Sequence, residues 1–409
     1  MNQSMTKSQQ LIDLEDKYGA HNYHPIPVVL EKGEGVYVWD VEGKKYFDFL
    51  ASYSAVNQGH SHPRIIRALT NQAQKITLTS RAFYNSELGK YEKFITSVFG
   101  YDKVLPMNSG AEAVETAMKL CRKWAYLKKG IPQNEAVILF ASGNFHGRTL
   151  AIISASTEDS SKKDFGPYLP NVRIVEYNNI DSLKSALQDK YVAGFIVEPI
   201  QGEAGIILPD DGYLQTCFNL CQEHHVLFIA DEVQTGIART GKMLACDYEH
   251  IKPHILILGK ALSGGVLPVS AVLADDDIML CIKPGEHGST YGGNPLACAV
   301  ATEAIQVVID EKMAENAMRL GEIFRNGLKK INSALIKEVR GKGLLNALEI
   351  NDSSESETAW NLCLLFAKNG LLAKPTHGNI IRFAPPLVIT EAQIIESISI
   401  IEKSILEFQ

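Results

Sequence analysis

Two apolar stretches that end in opposite charges decide the fold: VLFIADEVQ at residues 226–234 and HILILGK at residues 254–260. Each is an almost unbroken apolar run that reaches a charged residue, Asp231 in the first and Lys260 in the second. Such runs are typical of strands buried on both faces, as in a parallel sheet. Because a charge is costly to bury without a partner, we expect both residues at a functional edge of that sheet.

Further apolar runs of the same kind alternate with helical patterns over about 110–128 and 212–225. These runs are AVILF (136–140), NVRIVEY (171–177) and AGFIVEPI (193–200). The alternation predicts an α/β layer with a mostly parallel sheet flanked by helices. In such a sheet, ligands bind at the carboxyl ends of the strands.

The two ends of the chain have a different pattern. Residues 35–50 predict a β-hairpin that turns at Gly43. A long helix is predicted over about 296–332, and a last helix begins at Thr390 with a capping-box sequence. This pattern predicts a smaller α+β domain. The expected units are an N-terminal segment, 1–63, that packs with the small domain, a large cofactor-binding domain, 64–313, and a small C-terminal domain, 314–409.

Composition excludes several classes of protein. The chain has 409 residues, 45% of them hydrophobic, and a formal net charge of −7. No basic block supports a nucleic-acid partner, and no apolar run reaches the ~20 residues that span a membrane. Residues 1–23 lack the features of a secretory or organelle-targeting segment, so we expect a cytoplasmic protein. The seven scattered cysteines have no metal-ligand spacing and predict reduced thiols and no metal site.

A fixed carboxylate and a fixed lysine are the two groups that a pyridoxal 5'-phosphate cofactor needs. The lysine anchors the cofactor and moves a proton, and the carboxylate pairs with the ring nitrogen. Asp231 and Lys260 therefore predict such a site. From these two residues alone, an ion pair that closes a strand edge remains an equal alternative.

A pyridoxal cofactor also needs a phosphate site. Residues 106–112, PMNSGAE, open a helical pattern with small residues, and a helix start of this kind binds anions through backbone N–H groups. Simple N-capping by Asn108 or Ser109 explains the same pattern equally well. Residues 288–294, GSTYGGN, are a second candidate, or only a tight turn.

Six motifs, in order along the chain, resemble those of the class III aminotransferases of pyridoxal fold type I. They are MNSGAEAVETAMKL (107–120), GNFHGRT (143–149), EPIQGEAG (198–205), ADEVQTG (230–236), LGKALSGGVLPVSAVL (258–273) and HGSTYGGNP (287–295). The resemblance extends from about residue 20 to the end. Within the class, residues 18–63 are similar to the branch that acts on ornithine. The resemblance implies a homodimer with active sites at the subunit interface.

The resemblance assigns cofactor roles residue by residue. Lys260 would be the Schiff-base lysine and Asp231 the partner of the ring nitrogen. Phe145 would stack on the ring, and Gln234 would reach the 3-oxygen. Backbone N–H groups would bind the phosphate from Gly110 and Ala111, and the neighbouring subunit would add Ser289 and Thr290.

The resemblance also assigns substrate roles. Arg148 would bind the α-carboxylate of ornithine, since a guanidinium binds a carboxylate bidentately. Tyr23 would contact the α-amine, and Tyr53 would shape the pocket. Arg382 would bind the α-carboxylate of 2-oxoglutarate, and Glu203 would mask Arg382 during the ornithine half-reaction. The alternatives are a surface charge for Arg382 and a loop carboxylate for Glu203.

The function implied by the resemblance is transfer of the δ-amino group of L-ornithine to 2-oxoglutarate by a ping-pong route. The products would be glutamate and glutamate-5-semialdehyde, which cyclises to pyrroline-5-carboxylate. N-acetylornithine and 4-aminobutyrate are alternative donors, although Tyr23 and Tyr53 favour a free α-amino group. An aminomutase, which needs no 2-oxoglutarate, and a binding protein that keeps the fold are further alternatives. A nicotinamide dehydrogenase is disfavoured, because no GxGxxG follows an early strand.

Overall fold

The computed structural model describes residues 5–408. Residues 1–4 of the predicted N-terminal segment and residue 409 of the predicted C-terminal domain lie outside the described part. The helices are α1 (Lys7–Tyr18), α2 (Ala51–Ser54), α3 (Pro63–Ala73), α4 (Leu88–Phe99), α5 (Gly110–Trp124), α6 (Leu150–Ile153), α7 (Asp159–Lys162), α8 (Ile180–Ala186), α9 (Tyr213–Glu223), α10 (Asp276–Met279), α11 (Pro295–Asp310), α12 (Met313–Leu328), α13 (Thr358–Asn369) and α14 (Glu391–Phe408).

The strands fall into three sheets. They are β1 (Leu30–Glu34), β2 (Tyr37–Asp40), β3 (Lys45–Asp48), β4 (Lys103–Met107), β5 (Val137–Ala141), β6 (Val172–Val175), β7 (Val192–Val197), β8 (Leu227–Asp231), β9 (Ile255–Leu258), β10 (Ser270–Ala274), β11 (Ile336–Lys342), β12 (Leu345–Ile350), β13 (Leu371–Leu372), β14 (Lys374–Thr376) and β15 (Ile380–Phe383).

The central sheet has the strand order β4-β10-β9-β8-β7-β5-β6. Neighbouring strands from β9 to β6 pair in parallel, whereas β10 is antiparallel to both β9 and β4. Helices cover both faces, and buried apolar clusters lie against each of them. The predicted α/β class with a mostly parallel sheet is confirmed.

The apolar runs identified in the sequence correspond to strands β5 to β9. Every residue of β5, β7, β8 and β9 is buried, as expected for strands covered on both faces. Strands β4 and β10 were not predicted. Strand β4 contains the exposed Lys103 and also Pro106, which interrupts a strand pattern.

Two smaller sheets lie outside the central sheet, one antiparallel and one mixed. One has the order β11-β12-β15-β14 and packs with the C-terminal helices. The other contains the predicted hairpin, β2 and β3, together with β1 and the short strand β13. Because β13 pairs in parallel with β3, the N-terminal hairpin is joined to the C-terminal part of the chain.

Arg239 connects three parts of the chain. Its side chain is fully buried and donates to Asn57 Oδ1 and to the carbonyl oxygens of Leu344 and Pro385. Burial lowers the pKa of Arg239 to about 9. The buried guanidinium of Arg239 therefore joins the N-terminal segment to the C-terminal part of the chain through hydrogen bonds.

The single long helix predicted over 296–332 is wrong. Two helices, α11 and α12, occupy this stretch, and the chain turns between them at Lys312, whose φ is 51°. The predicted capping box at Thr390 is confirmed: Gln393 N donates to Thr390 Oγ1, and Thr390 N donates to Gln393 Oε1.

The seven cysteines are buried and free. In residues 5–408, no helix combines the length and apolar character needed to cross a membrane. The same residues contain no cluster of three or more His, Cys, Asp or Glu side chains arranged to hold a metal ion.

Candidate active site

The carboxyl ends of β7, β8 and β9 and the start of α5 surround a cavity of about 190 Å³. Its lining combines titratable groups with small and apolar residues, namely Gly110, Ala111, Phe145, His146, Gly147, Glu198, Glu203, Asp231, Val233, Gln234 and Lys260. The structure thus brings together seven residues predicted from the sequence: Gly110, Ala111, Phe145, Glu203, Asp231, Gln234 and Lys260. The position agrees with the rule that ligands of parallel sheets bind at the strands' carboxyl ends.

Lys260 follows β9 after one glycine and begins a short 3-10 helix, Lys260–Ser263, with a left-handed φ of 44°. Among the described residues, its ammonium group forms no hydrogen bond or ion pair. Burial lowers the pKa of Lys260, although the carboxylates of Glu203 and Asp231 oppose this effect. A lysine with a lowered pKa and no partner is suited to attack a carbonyl carbon.

Asp231 ends β8 and is held by two groups. His146 Nδ1 lies 2.6 Å from Asp231 Oδ2, and Val233 N donates to Asp231 Oδ1 at 3.0 Å. Burial acts to lower the pKa of His146, but the bonded Asp231 carboxylate outweighs it and raises that pKa. The contact fixes the direction of the carboxylate at the cavity wall.

His146 and Glu198 were not predicted as site residues, although they lie in the motifs GNFHGRT (143–149) and EPIQGEAG (198–205). Glu198 follows β7 and accepts a hydrogen bond from Phe145 N at 2.9 Å. Burial raises the pKa of Glu198 to about 7, because the carboxyl group lies in an apolar interior close to the charge of Asp231. A carboxyl residue directly after a buried strand is the sequence signal that marks Glu198.

The start of α5 has two unused N–H groups. Ser109 and Glu112 form a capping box, so the N–H groups of both residues are satisfied. Gly110 and Ala111 lie between them, and their N–H groups bond to no other group in residues 5–408. Since the first N–H groups of a helix point outward along its axis, these two are placed to bind an anion in the cavity that Gly110 and Ala111 line.

Gln234 Oε1 is buried at the cavity without a hydrogen-bond partner among the described residues. The glycine at 202 makes room for this side chain, since a Cβ there would lie 1.3 Å from Gln234 Oε1. Phe145 and Val233 give the cavity its apolar surface. A polar, flat ligand would therefore find apolar contact and one buried acceptor.

Ser289 and Thr290 do not line this cavity. Ser289 Oγ accepts a hydrogen bond at 2.7 Å from Nδ2 of Asn108, a residue of the same chain that lies just before α5. Thr290 is exposed. The predicted contact of both residues with a phosphate in a neighbouring subunit stays a prediction.

Glu203 and Arg382 form a partly buried ion pair beside the cavity. Arg382 Nη1 donates to Glu203 Oε1 at 2.7 Å, and the Arg382 side chain is only 6% exposed. Burial acts to raise the pKa of Glu203, but the guanidinium outweighs it and lowers that pKa. The alternative interpretation of Arg382 as a surface charge is therefore wrong.

Tyr53 lies under this ion pair, with its ring centroid 4.8 Å from Arg382 Cζ. It is carried by α2, a single turn in which Ala51 to Ser54 all have left-handed φ values of 44° to 73°. Asp48 holds the turn by accepting from the N–H groups of Leu50 and Ala51. Strained backbone of this kind is characteristic of functional sites.

Arg148 and Tyr23 lie farther out. Arg148 is exposed, with its guanidinium 5.5 Å from the Phe145 ring centroid, and it faces a second cavity of about 440 Å³. Tyr23 is exposed. Neither residue lines the first cavity, which is the inner cavity around Lys260, and the cavity that Arg148 faces is the outer cavity.

The inner cavity fits pyridoxal phosphate. It offers two free N–H groups for the phosphate, a fixed carboxylate for the ring nitrogen and an unpaired lysine. The unpartnered Gln234 Oε1 adds a hydrogen-bonding group for a ring substituent.

Residues 18–405 match the family described as Aminotransferase class-III. The chain belongs to this family. Its fold and motifs therefore agree with the resemblance found in the sequence, and the expected fold type is confirmed.

Individual class-III aminotransferases are similar over nearly the whole chain. "Ornithine aminotransferase, mitochondrial" from Drosophila melanogaster is 61% identical over 401 residues, which cover 98% of this chain and 92% of the relative. The solved ornithine aminotransferase from Toxoplasma gondii, described with partial occupancy of PLP at its active site, has a TM-score of 0.97 and 46% identity. It covers 99% of this chain, and 95% of that structure is matched.

A structure named acetylornithine aminotransferase, from Elizabethkingia anophelis, is also similar. It has a TM-score of 0.91 and 59% identity, and the match covers 98% of this chain and 100% of that structure. The two names differ in the donor, free or acetylated ornithine.

Proposed function

We propose that this class-III aminotransferase transfers the δ-amino group of L-ornithine to 2-oxoglutarate with pyridoxal phosphate as its cofactor. The products are glutamate and glutamate-5-semialdehyde, which cyclises to pyrroline-5-carboxylate. The observation that carries the proposal is the Glu203–Arg382 ion pair, whose Glu203 lines both the inner cavity around Lys260 and the outer cavity that Arg148 faces. This arrangement suits two substrates whose carboxylates lie at different distances from the reacting group.

In this proposal Lys260 anchors the cofactor and moves the proton at the reacting carbon, and Asp231 pairs with the ring nitrogen. When bound, pyridoxal phosphate supplies an electron-poor ring that absorbs the charge of a carbanion. Gly110 and Ala111 bind its phosphate through backbone N–H groups. Gln234 contacts the 3-oxygen.

The ion pair separates the two half-reactions. While Glu203 is paired with Arg382, the inner site offers no free cation to a carboxylate, so ornithine reacts through its δ-amine. Its amino-acid end then lies outside, where Arg148 binds the carboxylate, Tyr23 contacts the amine and Tyr53 shapes the passage. For 2-oxoglutarate, Glu203 moves away and Arg382 binds the α-carboxylate.

N-acetylornithine is the second candidate donor, because a structure 59% identical carries that name. To test the proposal, the purified holoenzyme is incubated with 2-oxoglutarate and, separately, with ornithine, N-acetylornithine or 4-aminobutyrate. We expect glutamate to form fastest with ornithine, as measured by chromatography. Faster turnover of N-acetylornithine would overturn the proposed donor, and turnover without 2-oxoglutarate would indicate an aminomutase.

We also propose a homodimer in which Ser289 and Thr290 complete the phosphate site of the partner subunit. The exposed aromatic side chains of Phe83, Tyr84 and Tyr291 support an interface near these residues. Asn85 Nδ2, 3.5 Å from the carbonyl oxygen of Gly293, joins the two loops that carry them. Light scattering on the purified protein measures the mass of the assembly.

The domain division expected from the sequence, 1–63, 64–313 and 314–409, is retained as a proposal. The central sheet lies within 64–313, and the pairing of β13 with β3 supports contact between the first and last units. Limited proteolysis tests these boundaries.

The cytoplasmic location is also a proposal, since the Drosophila relative is named as a mitochondrial protein. Fractionation of cells that express the protein tests it.

A further inference from the structure

The outer cavity adjoins the inner one, because Phe145 and Glu203 line both. Its other walls come from the loop that leads into α7 and from the turn between β14 and β15. Besides Glu203, the titratable side chains that face it are Arg148, Glu158, Asp159 and His377.

These charges are poorly compensated by the protein itself. Arg148 and Asp159 form no ion pair within residues 5–408. Glu158 has only long contacts, 3.4 Å from His377 Nε2 and 3.4 Å from Ser161 Oγ. Glu203 is already neutralised by Arg382. The outer cavity therefore presents one free cation and two incompletely paired carboxylates.

We propose that Glu158, supported by Asp159, binds the ammonium group at the distal end of the amino donor. The residue pair thereby selects a donor with a free α-amino group over an N-acylated one. This inference rests on the proposed function, and it names the residues that set the choice of donor within it.

The charges of the cavity match an amino-acid end group. When Arg148 binds the α-carboxylate, the carboxylates of Glu158 and Asp159 remain beside His377, and an ammonium ion offers them a permanent positive charge. An N-acylated donor brings a neutral amide, so Glu158 and Asp159 lose water without gaining a cation. Tyr23, the contact predicted from the sequence, has a phenol hydroxyl that hydrogen-bonds to either group. A carboxylate therefore discriminates better than a phenol.

Three donors that differ at the α-nitrogen isolate the contact between the protein and the α-ammonium group. Ornithine has the α-ammonium group, 5-aminopentanoate has the same carbon chain and carboxylate without it, and N-acetylornithine has it acylated. Each is mixed alone with the holoenzyme of the parent and of Glu158→Gln and Asp159→Asn. The concentration dependence of the cofactor absorbance change gives a half-saturation concentration and a limiting rate. Glu135→Gln is the matched control, because Glu135 is an exposed residue before β5 whose carboxylate has no partner within residues 5–408.

We expect Glu158→Gln to raise the half-saturation concentration for ornithine by about tenfold, the effect of losing one charge-assisted hydrogen bond. Asp159→Asn should raise it less. The value for 5-aminopentanoate should stay within about twofold, since that donor lacks the group concerned. N-acetylornithine should bind the variant as well as or better than the parent, and Glu135→Gln should change nothing.

Equal losses for ornithine and 5-aminopentanoate would overturn the inference, because they would indicate a structural role. An unchanged response to ornithine in both variants would also overturn it, while the proposed function stands. If Glu158→Gln lowers the melting temperature, the inference is judged on Asp159→Asn alone, because Asp159 is exposed and its replacement should leave the fold intact. If the parent accepts N-acetylornithine and not ornithine, the proposed function fails, and this inference fails with it.

Discussion

Replacing Glu203 by Gln should change which amino group reacts. In the structure Glu203 neutralises Arg382 at 2.7 Å, and the guanidinium is almost fully buried. Without the charge of Glu203, Arg382 becomes free to bind a carboxylate close to the reacting lysine. Glutamate, whose carboxylate is next to its amine, should then react better, and ornithine should begin to react through its α-amine.

The size of the effect follows from the contact. A hydrogen bond between charged groups contributes about 1.5–3 kcal/mol, so the preference for ornithine over glutamate should fall by about tenfold to 150-fold. Stopped-flow absorbance of each half-reaction, with one substrate at a time, measures it. Arg382→Ala should do the reverse, weakening 2-oxoglutarate by at least about tenfold while the ornithine half-reaction is spared.

The control is Glu338→Gln, which breaks the 2.6 Å pair between Glu338 and Arg340 on the outer sheet and should leave both half-reactions unchanged. An unchanged ornithine-to-glutamate ratio in Glu203→Gln would refute the reasoning. Equal damage to both half-reactions in Arg382→Ala would show that Arg382 is structural.

Three further predictions concern buried charges. Asp231→Ala should keep bound cofactor and react at least tenfold more slowly in the ornithine half-reaction, with Asp231→Glu less affected; a loss below ~1.4 kcal/mol excludes the role given to Asp231. The pKa of Glu198 is raised from 4.5 to about 7, so the folded protein favours the neutral carboxyl group. The resulting contribution to stability is complete below pH 4.5 and is lost as the pH rises through 7. In urea unfolding, Glu198→Gln should therefore gain stability relative to the parent between pH 4.5 and 7, and a constant difference contradicts this. Arg239→Met leaves three buried acceptors unpaired and should cost about 2–5 kcal/mol of unfolding free energy by the same method, whereas a loss below about 1 kcal/mol shows that Arg239 does not join the domains.

The parts of the fold that were predictable are those whose burial is uniform. Strands β5, β7, β8 and β9 are apolar because both faces are covered, so their sequences carry the signal directly. The turn at Lys312 was missed because nothing there is Gly or Pro, and the helical pattern continues on both sides. Strand β13 has only two residues and exists because β3 offers it an edge, which no local pattern reveals.

The site divides in the same way. Asp231 and Lys260 were visible because each is a charge at the end of an apolar run. The contact of His146 with Asp231 was not visible, because it joins residues 85 apart and depends on which strands are neighbours. The Glu203–Arg382 pair spans 179 positions, and only the resemblance to a family indicated it.

One measurement tests the central claim most directly: the absorbance spectrum of the holoenzyme before and after addition of L-ornithine alone. We expect the cofactor band to change with ornithine in the absence of 2-oxoglutarate and to return when 2-oxoglutarate is added, because the amino group is held between the two half-reactions. Lys260→Ala, with its fold intact by circular dichroism, should lose the parent band and all turnover. A parent spectrum that ornithine leaves unchanged, or near-parent turnover by Lys260→Ala, would contradict the assignment.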